Sequence, residues 1–147
     1  MKDKLIATSI VETTAPVEKV WSTLLNPASL QKVMMGMEPV SDWKLGSELR
    51  WIGRHGGEQN DTAKGVIQLM ETNKKFQFTF YFPGYGYPDQ PEFYNLVSVT
   101  LTKTKNGTSI QAEQGDFSVF SDGEQYKQHA QIFWDGALKI LKEVSEQ

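Results

Sequence analysis

The chain has 147 residues, 39% hydrophobic and 12% aromatic, enough for a real core in one domain spanning residues 1–147. A net charge of -3 with no block of like charge argues against nucleic acid as a partner, and no apolar run approaches the roughly 18 residues of a membrane span. The absence of cysteine removes disulfides, thiolate metal sites and cysteine nucleophiles.

Two histidines without HExxH-type spacing give no reason to expect a metal, and no cofactor motif is present. The opening MKDKLIATSIVE lacks the apolar core of a signal peptide, so a cytoplasmic protein is the expectation.

Residues 4–12 are rich in β-branched side chains and predict a strand. Thr14 is a candidate N-cap, with Pro16 in the first helical turn and Val17, Val20, Trp21 and Leu24 on one face of a short helix. Asn26-Pro27 restarts the chain as a second short helix with Leu30, Val33 and Met34 inward. Met34, Met35 and Met37 surround Gly36. They read either as flexible gap-filling at a helix end or as an adaptable ligand wall.

From Glu38 the period changes to two. Residues 39–43 predict a short edge strand, 44–47 a turn, and 48–54 a strand with Leu49 and Trp51 on one face. His55 falls in a polar hairpin tip over 55–61. Residues 62–70 form the return strand, where Gly65 marks a bulge or bend. Phe76, Phe78, Phe80 and Phe82 then alternate with polar residues, predicting one wall of four phenylalanines. The loop 83–91, with three prolines, two glycines and two tyrosines, is a candidate lid or rim. Residues 93–103 and 108–114 are strands joined by a tight turn at Asn106-Gly107, the second with Ile110 and Ala112 inward.

The last segment carries the strongest helix signal. Tyr126, Ala130, Phe133, Trp134, Ala137, Leu138, Leu141 and Val144 recur at steps of three and four, predicting a helix over about 121–145. Ser121 and Glu124 match a capping box. The opposite face, with Gln128, Gln131, Asp135, Lys139 and Lys142, suits water. At about 24 residues and about 36 Å this helix is as long as a small domain is wide, and its aromatic stripe needs a large partner surface. The order is strand, two short helices, six strands and a long helix. It predicts an α+β domain whose seven-stranded antiparallel sheet curls around the final helix. A straight helix cannot touch a curved sheet everywhere, so a cavity between them is expected.

The chain resembles the START-like superfamily, also called SRPBCC, with the Bet v 1-type helix-grip fold. Within it the likeness is to the Aha-type group, named after the C-terminal domain of the Hsp-ninety ATPase activator. The resemblance rests on residues 10–34 (strand, Ala-Pro, Val20-Trp21, Asn-Pro), on Gly46-Ser47-Glu48-Leu49-Arg50-Trp51, and on Gly65-Val66-Ile67 before the Phe-rich strand. It extends to Asn106-Gly107-Thr108 and to the closing helix with Phe133, Trp134 and Ala137, and so covers nearly the whole chain. It implies members that bind lipids or hormones, cyclise polyketides or stimulate a chaperone ATPase. The eukaryotic activators carry an additional N-terminal domain for which these residues leave no room.

Catalysis needs convergent acid–base or nucleophilic groups. His55, His129, Asp116, Glu113 and Tyr94 are the candidates, and no spacing rule links them. The expected function is therefore binding of a small apolar molecule between sheet and helix. The candidate lining residues are Trp51, Phe78, Phe80, Tyr94, Phe117, His129, Phe133 and Trp134. A chaperone-associated or other protein-interaction module and a polyketide cyclase-like enzyme are the alternatives.

Overall fold

Alternating apolar residues on successive strands commit one face of each strand to the interior, and the computed structural model closes seven of them into one antiparallel sheet. It describes residues 3–55 and 58–147, the side chains of 54–61 excepted; the His55 imidazole therefore lies outside the described residues. The strands are β1 (Ala7–Thr13), β2 (Glu38–Ser41), β3 (Glu48–His55), β4 (Glu58–Glu71), β5 (Lys75–Phe80), β6 (Asn95–Thr104) and β7 (Gly107–Gly115). Helices α1 (Val17–Leu24) and α2 (Pro27–Val33) follow β1, and α3 (Gly123–Ser145) ends the chain. The sheet order is β1-β7-β6-β5-β4-β3-β2, so the meander returns to pair β7 with β1 and leaves β1 and β2 at the edges. This is the expected helix-grip arrangement.

The sheet is bent along β4. Opposite β3, Ala63 pairs with Trp51 and Asp61 with Ile52, leaving Thr62 as an extra residue. Opposite β5, Gln68 is likewise skipped between Ile67 and Leu69. Gly65 stands between these two bulges, where a Cβ atom would lie 1.6 Å from the Thr79 carbonyl oxygen. The glycine is required by the close approach of β5 at the bend.

Several local expectations resolve differently. Thr13, not Thr14, supplies the hydroxyl at the β1–α1 joint: it accepts from the Ala15 N–H at 3.1 Å and donates to Glu146 at 2.6 Å. The phenylalanine wall ends at Phe80, because Phe82 has left the ladder and precedes a 3₁₀ turn over Pro83–Tyr85. The last hairpin turns at Lys105 and Asn106, with Thr104 paired to Gly107. The Ser121–Glu124 capping box does not form. Asp122 is the N-cap, without a side-chain hydrogen bond, and Ser121 instead shares a 2.8 Å hydrogen bond with the Tyr87 hydroxyl.

The predicted wet face of α3 is also only partly wet. Gln131 Oε1 accepts from the Thr8 N–H at 3.0 Å and its Nε2 donates to the Thr8 carbonyl, while the Ser9 hydroxyl donates to Asp135 at 2.7 Å. Two polar side chains of the helix thus tie it to edge strand β1. The inward stripe of Ala130, Trp134, Ala137, Leu138 and Leu141 is buried as its spacing predicts. Among the described residues no helix is long and apolar enough to cross a membrane.

Candidate functional site

Helix α3 packs against β1, β7, α1 and α2, and between it and the middle strands the core changes character along its length. At one end Phe76, Val99, Leu138 and Leu141 meet Leu24, Leu30 and Val33 around a residual void of about 10 Å³. That is no more room than a single water molecule needs, so this end is filled. At the other end a cavity of about 310 Å³ opens between β5, β6, β7 and α3. The gradient follows β5 itself: Phe76 and Phe78 are buried, Phe80 is half-buried. On α3 the bulky Trp134 is succeeded toward the N-terminus by Ala130, a single methyl that leaves space, with half-buried Phe133 beside it.

Met34 and Met37 complete the apolar lining with Val97 and Phe82. Between the two methionines the chain reverses through left-handed Met35 (φ 56°) and Gly36 (φ 100°), with Met35 itself exposed. This reversal returns Met37 to the same cavity as Met34, which also borders the small void at the filled end.

Among the described residues, three polar side chains reach the cavity: Gln114, Tyr85 and His129. Gln114 is 6% exposed. Its Oε1 accepts from Trp134 Nε1 at 2.9 Å and its Nε2 donates to Asn95 Oδ1 at 3.3 Å. Tyr85 comes from the loop after β5 and stacks on Tyr126 of α3 with ring centroids 4.1 Å apart. Burial, with the Tyr126 hydroxyl adding to it, raises the Tyr85 phenol above its ordinary value. His129 is exposed at the rim, and no hydrogen bond to it occurs among the described residues.

The expected lid or rim loop is tied down at several points. Tyr81 donates to the Tyr87 carbonyl at 2.7 Å, and the Ser121 N–H donates to the Tyr87 hydroxyl at 3.0 Å. Tyr94 donates to Asp89, which also pairs with Lys64 at 2.5 Å. The hydrogen bonds from Lys64 and Tyr94 hold the Asp89 carboxyl below its ordinary value.

Of the eight candidate lining residues, Phe78, Phe80, His129, Phe133 and Trp134 come together around the cavity. Trp51, Tyr94 and Phe117 do not line it. Trp51 is fully buried on β3, opposite Ala63, and packs behind Phe78 with ring centroids 5.7 Å apart. Alternation places it on the inward face, but bent β4 stands between β3 and the hollow end of the core. Phe117 is fully buried after β7 and packs on Phe120 beneath the start of α3. Tyr94 stacks on Tyr81 at 5.0 Å and serves the loop.

Asp116, a catalytic candidate, accepts from the Leu5 N–H at 2.9 Å and the Ser118 N–H at 2.8 Å. Burial raises its carboxyl, but these hydrogen bonds and nearby Lys4 outweigh that and leave it below the ordinary value. Among the described residues no group of His, Asp and Glu side chains is arranged to hold a metal ion.

Gln114 was missed by the sequence reading, although its signal was present. Ile110 and Ala112 face inward, so the next inward position in a period of two is 114. Its amide hid it, because a polar residue at an apolar position is read as the end of the pattern.

No curated protein matches the chain by sequence. Among solved structures, ChR145 from Cytophaga hutchinsonii is 35% identical over 99% of this chain and 97% of its own, with a TM-score of 0.80. The Aha1 dimer from Colwellia psychrerythraea shares the fold at 17% identity, covering 96% of each chain with a TM-score of 0.72. DynU16, from the dynemicin biosynthetic locus, shares it at 15% identity over 99% of this chain and 48% of its own, with a TM-score of 0.76. The family model described as "Activator of Hsp90 ATPase homolog 1-like protein" matches residues 14–146. With that match over nearly all of the chain, and the helix-grip fold beneath it, this protein belongs to the Activator of Hsp90 ATPase homolog 1-like family.

Proposed function

We propose that the chain binds a small, mostly apolar molecule in the cavity between β5–β7 and α3. The observation that carries this is the contrast within one core: a filled end with a void of about 10 Å³, and an aromatic-lined hollow of about 310 Å³ beside it. Ligand sites are concave, mostly apolar and sparsely polar, from about 300 Å³ upward. An apolar cavity of about 150 Å³ holds a benzene-sized guest, so about twice that volume suits a two-ring aromatic or a medium-length acyl chain. The occurrence of the fold in a protein of a biosynthetic locus is in keeping with such a guest.

Trp134 lines the cavity, which makes the proposal testable without labels. A ligand that enters quenches or shifts tryptophan fluorescence saturably, and the response disappears in Trp134→Phe. It also raises the melting temperature, because binding only the folded state stabilises it by about 2.7 kcal/mol at a hundredfold excess over Kd. The two signals return one affinity. A screen of apolar compounds that yields neither signal would sink the reading, and a protein partner would then lead.

A further inference from the structure

We propose that Gln114 sets the specificity of this cavity: it is a buried, oriented N–H donor that selects apolar ligands carrying one hydrogen-bond acceptor, such as a carbonyl oxygen. The inference rests on the cavity being a ligand site and adds the chemical class of the guest.

The orientation of the Gln114 amide follows from its neighbours. An indole N–H can only donate, so the 2.9 Å contact to Trp134 Nε1 places Oε1 on that side. Nε2 therefore faces Asn95, whose Oδ1 accepts at 3.3 Å while its Nδ2 donates to the Asp116 carbonyl at 3.4 Å. Flipping the Gln114 amide would set its NH₂ against the indole N–H and its oxygen against the Asn95 oxygen. Trp134 and Asn95 are thus positioning residues, on α3 and at the start of β6.

An amide nitrogen carries two protons, and Asn95 takes one of them over a long contact. The second belongs to a side chain that is 6% exposed and lines an otherwise largely apolar cavity. When an apolar ligand fills the cavity, a donor left without an acceptor in such a place is unfavourable, so a ligand that brings an acceptor is favoured over one that lacks it. His129 is exposed at the rim and within reach of water, so the buried donor discriminates where solvent cannot substitute. A site built to pair with a polar group rejects the analogue lacking it far better than an apolar wall rejects a methylene.

The test uses the full chain and two matched probes, 2-acetylnaphthalene and 2-ethylnaphthalene, with affinities measured by equilibrium dialysis. In a cavity without a usable donor the hydrocarbon wins, because the ketone sheds its water hydrogen bonds unrewarded. With Gln114 donating, the ketone binds about tenfold more tightly than the hydrocarbon. In Gln114→Met that preference is lost, while the hydrocarbon's affinity stays within about twofold of the parent's. Should that variant not fold, the infrared carbonyl stretch of the bound ketone in the unaltered protein decides. A shift to lower frequency, relative to the ketone in alkane, that persists in Tyr85→Phe is the expected result; an unshifted band, or a shift lost in Tyr85→Phe, overturns the proposal. Binding of both probes with equal affinity, or in favour of the hydrocarbon, overturns the donor role and leaves the cavity a ligand site. Binding of neither overturns the ligand-site reading and the donor role with it.

Discussion

Gln131 of α3 pairs with Thr8 of β1 as a neighbouring strand would, accepting from its N–H at 3.0 Å and donating to its carbonyl. β1 is an edge strand, and its free backbone groups are a liability that a side-chain amide can satisfy. The helix is therefore held to the sheet edge by polar contacts as well as by its apolar stripe. Gln131→Ala should cost about 1–2 kcal/mol, since it leaves a partly buried backbone pair without a partner. Gln128→Ala, at an exposed position of the same helix, should change stability by under about 0.5 kcal/mol. Equal denaturation midpoints for the two variants would show that the Thr8 contact contributes nothing.

The architecture was legible because each element announces its period. Residues 126–141 keep a helical stripe, and 76–80 keep a strand's alternation, whatever their neighbours do. The site was legible only in part. Alternation says that Trp51 and Phe80 both face inward. It does not say that one is sealed behind Phe78 while the other opens onto a cavity, which depends on the bend of β4 and on Ala130 being small. Gln131 and Ser121 misled for a different reason. A polar side chain on a helix, or just ahead of one, looks the same in sequence whether it meets water, caps the helix, or reaches Thr8 or Tyr87.

The hollow end of the core should be energetically softer than the filled end. Leu138 is 1% exposed and helps to line the small void, so Leu138→Ala should cost about 2–5 kcal/mol. Phe133 is half-buried and already borders empty space. Phe133→Ala enlarges a cavity instead of creating one and should cost under about 2 kcal/mol, below the usual figure for a buried phenylalanine. Urea titrations of both variants check the order. A larger loss for Phe133 would mean that its ring is a packed element of the core.

Two glycines should respond oppositely to the same substitution. At Gly65 a methyl would meet the Thr79 carbonyl at 1.6 Å, and that is backbone, which cannot swing aside as a side-chain end can. Gly65→Ala should destabilise by more than about 3 kcal/mol, beyond the common range for overpacking. Gly136 lies inside α3, and there the new methyl meets only the terminal Met35 Cε at 2.9 Å. Met35 is exposed and can swing away, while alanine improves the helix, so Gly136→Ala should gain about 0.5–1 kcal/mol. Thermal melts of the pair, read as opposite shifts in Tm, test the bend at β4 and the helix assignment together.

Acid sensitivity should trace to carboxylates held in the folded state. Burial pushes the Asp116 carboxyl up, but hydrogen bonds from Leu5 and Ser118 and the nearby Lys4 leave it below its ordinary value. Glu146 is lowered by hydrogen bonds from Lys142 and Thr13, and Asp89 by those from Lys64 and Tyr94. A carboxyl whose folded value lies below its unfolded one stabilises the fold at neutral pH. That contribution fades as pH falls from the ordinary carboxylate range near about 4 through the lower folded value. Asp116→Asn should therefore weaken the protein at pH 7 and flatten the fall in stability below about pH 5. Part of the slope should persist, because Glu146 and Asp89 still titrate. Urea midpoints across the acid range, for the parent chain and the variant, are the measurement. Parallel curves would show that Asp116 is bound no better in the folded state than in the unfolded one.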